Sequence, residues 1–321
     1  MTDAALGSFE WHTFNVFNSL TRWGVPIFVM VSGALFLGKE RPIPELLKKN
    51  VFKIVILFVF WSTAYALCGY LANHAPFHLK DFIVSVVSGH YHLWFLYMLI
   101  GLYLAVPLLR KVAENEKIMY YFLVLAALFS YLLPVCVNLI SLKSASFAAI
   151  LDSNLYQIGL SAACASFGCF VLGYLLHQKQ FPKKIRCFVY LLGVCGALIT
   201  IFGTVIASAY AKEFVKFFYY YLSINVLAMG VAIFVFAKAH WNKPLSSEKS
   251  KRVLQTLSRC TLGVYLIHPL FLALLKKVFE TQLMGSAPLL SVPALSIAVF
   301  LLSLAVALLL NRIPFVRKWL I

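Results

Sequence analysis

Apolar residues gather along this chain into nine stretches: Val16 to Leu37, Val51 to Leu71, Tyr91 to Leu109, Ile118 to Ile140, Tyr156 to Leu176, Cys187 to Ala209, Phe217 to Ala237, Leu262 to Phe279 and Leu289 to Leu310. Most reach the roughly 20 residues that a helix needs to cross about 30 Å of hydrocarbon. The pattern predicts an all-α polytopic membrane bundle of nine transmembrane helices, with one membrane domain over residues 1–321. The segments between the stretches are too short for a second soluble domain. Their basic residues alternate in density from loop to loop. The loops with Lys39 to Lys53, Arg110 to Lys117, Lys179 to Arg186, Lys238 to Arg259 and the tail from Arg312 hold 21 of the 28 Lys and Arg. Lys/Arg-rich short loops stay cytoplasmic. This side is therefore expected inside, with Met1 outside and Ile321 in the cytoplasm.

Polar residues inside the apolar stretches mark where chemistry could sit, because ionisable groups at membrane depth are costly and are kept for a reason. In the first stretch Asn18 and Arg22 precede Gly24 and Pro26, just before the apolar run Ile27 to Leu37. Eleven residues of helix rise only about 16 Å, so the crossing requires residues before Pro26, with a kink or a restart there. Arg22 facing lipid at depth would cost up to about 3 kcal/mol. It is expected in a protein interior or polar cavity, unless it snorkels to the interface. The third stretch opens Gly89-His90-Tyr91-His92-Leu93-Trp94-Phe95. An aromatic belt explains Tyr91, Trp94 and Phe95; two histidines at that boundary go beyond it. The eighth reads Leu262-Gly263-Val264-Tyr265-Leu266-Ile267-His268-Pro269. His268 stands about 9 Å above Leu262 along a helix, inside the hydrocarbon, and Pro269 frees a backbone carbonyl one turn earlier. This is the strongest intramembrane polar signal in the chain. The plainer alternative is a neutral histidine bonded to nearby backbone. Arg110 and Arg259 end the third and eighth stretches on the inner side. Either they only enforce orientation, or they bind the phosphates of a cytoplasmic anionic donor. Small residues from Gly159 to Gly168 in the fifth stretch are explained by close helix packing.

Composition agrees with the membrane class, at 62% hydrophobic and 12% charged residues, against about 45–50% apolar and about 25% charged in soluble domains. The net charge of +17 could attract nucleic acid, but topology accounts for +16 of it: the inner loops carry 21 bases and 5 acids. No nucleic-acid partner is expected. The seven cysteines lie in or at the ends of apolar stretches without CxxC spacing, so neither a disulfide framework nor a zinc knuckle is indicated. His74 and His78 flank Pro76, which spoils a shared helical face, and with His90 and His92 they lack a carboxylate or Cys to complete a zinc set. No metal is expected. No GxGxxG, Walker, GxSxG or HExxH motif occurs. Residues 1–15 have neither the basic nor the apolar region of a cleavable signal.

Three motifs stand in order: Arg22-Trp23-Gly24-Val25-Pro26-Ile27-Phe28 with Val31-Ser32-Gly33, His92-Leu93-Trp94-Phe95-Leu96, and Leu262 to His268. Together they resemble the acyltransferase-3 family of integral membrane O-acyltransferases over nearly the whole chain. It is closest to the short single-domain members similar to the enterobacterial common antigen O-acetyltransferase. The resemblance implies a bacterial inner-membrane enzyme that takes an acyl group, usually acetyl, from cytoplasmic acyl-CoA. The acceptor would be a sugar hydroxyl of a cell-envelope polysaccharide or lipid-linked glycan on the outer side. Acyl-CoA is then a co-substrate, with no other cofactor, and the partners are that glycan and the lipid bilayer. Under this reading His268 and His92 are the catalytic candidates, Arg22, Trp94 and Tyr265 face the acceptor, and Arg110 and Arg259 face acyl-CoA. Family members also carry a first helix, with an Arg and a principal catalytic His, that precedes the Arg22 motif; the chain begins after it, and His12 is no replacement. The expectation is an N-terminally truncated member of a bundle of about ten helices. An inactive remnant and a sugar or lipid transporter or flippase are the alternatives.

Overall fold

The computed structural model describes residues 4–73, 76–241, 247–279 and 287–321. Among them every long element is helical and none is a strand. Eight helices are long and apolar enough to cross a membrane: Phe9–Phe36, Ile43–Ala72, Trp94–Glu114, Glu116–Ser141, Lys183–Ala211, Phe217–His240, Glu248–Leu275 and Pro288–Leu310. A shorter apolar run, Cys164–Gln178, ends the helix that carries most of the fifth stretch. The molecule is an all-α polytopic membrane bundle.

Local signals set the helix ends. The side chains of Ser8, Asn115 and Ser144 accept backbone N–H groups at the starts of Phe9–Thr21, Glu116–Leu125 and Ala145–Ile158, the usual work of such residues at an N-cap. Pro288 and Pro314 open their helices where no N–H is needed. Two stretches differ from their expected form. The fifth is not one rod over Tyr156 to Leu176: Gly159 takes φ +74°, ending Ala145–Ile158 and beginning Leu160–Gln178. Glycine adopts that left-handed backbone without a Cβ clash. The seventh does not start as α-helix at Phe217. A short turn, Phe217–Tyr219, is followed by the helix Ile224–His240, because Phe217 and Phe218 are buried with Ala207 and Val215 in a local core. Asn225 Nδ2 donates to the Phe218 carbonyl that the break would otherwise leave bare.

The chain divides into two compact units. The first comprises Met1–Glu40 with Ala105–Pro244, the second Arg41–Leu104 with Leu245–Ile321; the division falls within the helix Trp94–Glu114. In the first unit Gly24–Phe36 crosses Leu160–Gln178 backbone to backbone. A Cβ on Gly33 would collide with the Phe170 carbonyl, and one on Gly173 with Met30. Paired glycines permit this approach, and its dispersion contacts hold the helices together in a bilayer where no hydrophobic force drives them to associate. The π-helical turn Ala126–Leu132 lies against the same helix: Tyr131 OH donates to Ala165 O at 2.6 Å and Ser130 Oγ to Ser161 O at 2.9 Å. Lys238 Nζ donates to the carbonyls of Leu176, His177 and Lys179, closing the end of Leu160–Gln178. In the second unit Phe52–Asn73 packs on Leu79–Ser88, and Glu248–Phe279 on Pro288–Leu310.

Candidate active site

Within the second unit, Gly89 leaves the helix Leu79–Ser88 at φ +74°, and a Cβ there would stand 2.9 Å from the Phe58 ring. The turn brings His90 and His92 together, Nδ1 to Nδ1, at 2.8 Å. Two nitrogens at that distance share one proton, so one imidazole donates and the other accepts. His90 stacks on Tyr65, with ring centroids 4.3 Å apart. His92 is 6% exposed and meets Tyr65, Tyr265 and His268 edge to face. Its Nε2 is buried with no hydrogen-bond partner among the described residues. The Tyr265 hydroxyl donates to the His92 carbonyl, and Tyr65 OH to Leu266 O at 2.7 Å. The Tyr265 bond ties the turn, and the Tyr65 bond ties the helix Phe52–Asn73, to the helix Glu248–Phe279. Burial, and behind it the neighbouring His268 imidazole, hold the pKa of His90 below the ordinary histidine value, so it is neutral at pH 7.

His268 owes its state to the next residue. Pro269 has no N–H to give to Tyr265 O, the carbonyl four residues back, and His268 Nδ1 takes that carbonyl at 2.7 Å. A carbonyl only accepts, so Nδ1 carries the hydrogen and the Nε2 of the neutral ring carries the lone pair. The ring thus makes the backbone contact of the plainer alternative and still presents a base. It lines a cleft of about 390 Å³ with Val264, Leu272, Val292, Leu295, Ser296, Val299 and Phe300. Ser296 donates its hydroxyl to Val292 O, and among the described residues His268 is the one titratable side chain on the cleft wall. Trp94, 40% exposed, begins its helix beside Phe95, whose ring meets Tyr265. Arg259, at the other end of the His268 helix, is exposed.

Arg22 and Arg110 belong to the first unit. Arg22 ends the helix Phe9–Thr21. One of its nitrogens donates to Asn18 Oδ1 at 2.6 Å, and its guanidinium carbon lies 4.9 Å from the Tyr219 ring centre and 5.4 Å from that of Tyr221. Its Nε is buried without a hydrogen-bond partner among the described residues. Behind it Asn15, 1% exposed, accepts from Tyr219 OH and Ser19 Oγ and donates to Ile201 O. Arg110 donates to the Phe36 carbonyl at 3.3–3.4 Å, at the end of the helix Gly24–Phe36, where a cation also suits the helix dipole.

The structure therefore gathers His92, Trp94, Tyr265 and His268 in one unit and gives Arg22 aromatic company in the other. Tyr65, Tyr219 and Tyr221 escaped the sequence reading, since a tyrosine in an apolar stretch looks like core or belt until its partner is seen. Among the described residues no cluster of three or more His, Cys, Asp or Glu could hold a metal; His74 lies outside them.

No curated protein and no solved structure matches the chain. The family model described as an acyltransferase domain matches residues 2–312, and so takes in the three motifs and both units. The chain belongs to the acyltransferase-3 family.

Proposed function

We propose that this membrane acyltransferase moves an acyl group, acetyl in the simplest case, from cytoplasmic acyl-CoA to a sugar hydroxyl. The acceptor is a cell-envelope polysaccharide or lipid-linked glycan at the bacterial inner membrane. The observation that carries the reading is His268, whose tautomer is fixed by the carbonyl that Pro269 leaves vacant and whose ring lines an apolar cleft. Acyl transfer requires a base for the hydroxyl proton and donors for the oxyanion of the tetrahedral intermediate. His268 Nε2 takes the proton as the hydroxyl oxygen attacks the thioester carbonyl, and coenzyme A leaves as the thiolate. His92 is the second imidazole of the site. Arg22 and Trp94 are the oxyanion and acceptor donors, Tyr265 fixes His92 and borders the acceptor, and Arg110 and Arg259 receive the phosphates of acyl-CoA. The same alternation of basic loops supports an inner-membrane protein with its amino-terminal end outside and its carboxyl-terminal end in the cytoplasm.

Membranes containing the protein, given radiolabelled acetyl-CoA, should label a glycan fraction. His268→Ala should lower that labelling by about 10²- to 10⁴-fold, the range for losing a general base, and Arg22→Ala should lower it as well. Labelling indifferent to both substitutions would remove the site assignment.

A further inference from the structure

The three histidines of the second unit differ in their access to water in a graded way. His268 lines the apolar cleft, His92 is 6% exposed, and His90 is partly exposed at the end of the turn, beside the exposed Tyr91. Consecutive pairs meet in different ways: His268 and His92 ring to ring with centroids 5.4 Å apart and no hydrogen bond between them, His92 and His90 through the shared proton at 2.8 Å. We infer that His268, His92 and His90 form a proton relay that carries the acceptor's hydroxyl proton from the cleft to water, with His90 as its outlet. The inference rests on the acyl-transfer reading, and it assigns His90 a role that no motif of the chain gave it.

His268, having taken the hydroxyl proton on Nε2, is an imidazolium with Nδ1 still bonded to Tyr265 O. The titratable groups around His92 are Tyr65, Tyr91, Tyr265, His90 and His268. Phenols hold their protons at neutral pH, so only the two histidines can exchange one with it. Once the two rings close from contact to hydrogen-bond distance, His92 accepts the proton of His268 on its Nε2 and passes its own Nδ1 proton to His90 Nδ1. His90 then releases its Nε2 proton to water. The groups facing His90 are Tyr65, Tyr91 and His92, with His268 behind; none of them bears a permanent charge that would trap the proton. The coenzyme A thiolate is protonated from water where it leaves, and ring flips restore the starting tautomers. A buried, hydrogen-bonding nitrogen without a partner is costly in a plain packing role. As a station that must be vacant before each transfer, it has a reason to be so.

Two variants and one spectroscopic measurement test this. His90→Asn keeps a short amide able to bond His92 Nδ1 but cannot pass a proton, and His90→Ala opens the outlet to small molecules. Both should lower kcat about tenfold or more with KM little changed and with an altered pH–rate profile. Imidazole added to His90→Ala should restore kcat in proportion to its concentration. A kcat equal to that of the parent in both variants would overturn the relay, as would a loss that imidazole does not relieve. Independently of activity, 15N spectra of histidine-labelled protein in lipid discs should show a coupling between the two Nδ1 atoms of His90 and His92. Its absence overturns the relay whatever the enzyme does. An absence of acyl transfer by the parent protein, with the coupling present, would instead strike the acyl-transfer reading and leave the histidine pair standing.

Discussion

Pro269 decides the chemistry of the residue beside it. Replacing it with Ala returns an N–H to Tyr265 O, and a helix-interior proline costs about 3 kcal/mol relative to Ala. Pro269→Ala should therefore raise the melting temperature while lowering transfer activity, because His268 Nδ1 loses its sole claim on that carbonyl; a thermal melt and an acetyl-labelling assay read the two effects separately. Tyr65→Phe removes the hydroxyl from Leu266 O and should cost about 0.5–1.5 kcal/mol, read as a drop in melting temperature. His90 sets a pH dependence. Its pKa in the folded protein lies below that in the unfolded chain, so the unfolded state binds more protons once the pH drops through the ordinary histidine range near about 6.5. Stability should therefore be full above that range and decline below it. Melts from pH 8 to pH 5 should show this decline, and His90→Asn should lessen it. At this scale the sequence disclosed His268, Pro269, His92 and Arg22, because a charge or an imidazole inside an apolar stretch is conspicuous. Tyr65, Tyr219 and the His90–His92 bond were illegible, since each depends on which residues the turn at Gly89 or the break before Ile224 brings face to face.

Between whole helices, glycine contacts decide how closely the elements of the first unit approach. Gly33→Ala and Gly173→Ala each place a methyl group on backbone of the opposing helix, which neither a rotamer change nor a flexible neighbour can relieve. Each should destabilise by about 1–3 kcal/mol, the usual cost of overpacking. Gly24→Ala, where a Cβ meets nothing within 4 Å, should be close to neutral; parallel thermal melts of the three variants distinguish contact from helix propensity. The spans were legible from length and hydropathy because each must cross the same hydrocarbon. Their internal breaks were less so. The end at Gly159 has a glycine as its signal, yet glycine also occurs inside helices of this chain, at Gly193 and Gly196. The loss of helix after Phe217 follows from burial of an aromatic run, and hydropathy counts aromatic residues alike whether they face lipid or core.

Over the whole molecule, the proposed orientation rests on the alternation of basic loops rather than on any contact. With the native cysteines replaced, a membrane-impermeant maleimide should label Lys80→Cys on intact cells and Lys184→Cys only after lysis; the reverse pattern would invert the topology. Each compact unit is built from two blocks of sequence that the other unit's blocks interrupt, so a truncation at residue 244 would remove part of the second unit and leave the first unit's blocks intact. The glycine crossing has a consequence in time. Cys169 donates to the Pro26 carbonyl across 143 residues of chain. At a synthesis rate of about 5–20 residues per second, the helix Gly24–Phe36 waits in the bilayer for about 7–30 seconds before Leu160–Gln178 emerges to cover its glycine face. During that interval the nascent protein carries an open docking stripe, and the insertion machinery, or another copy of the same young chain, is what it can meet.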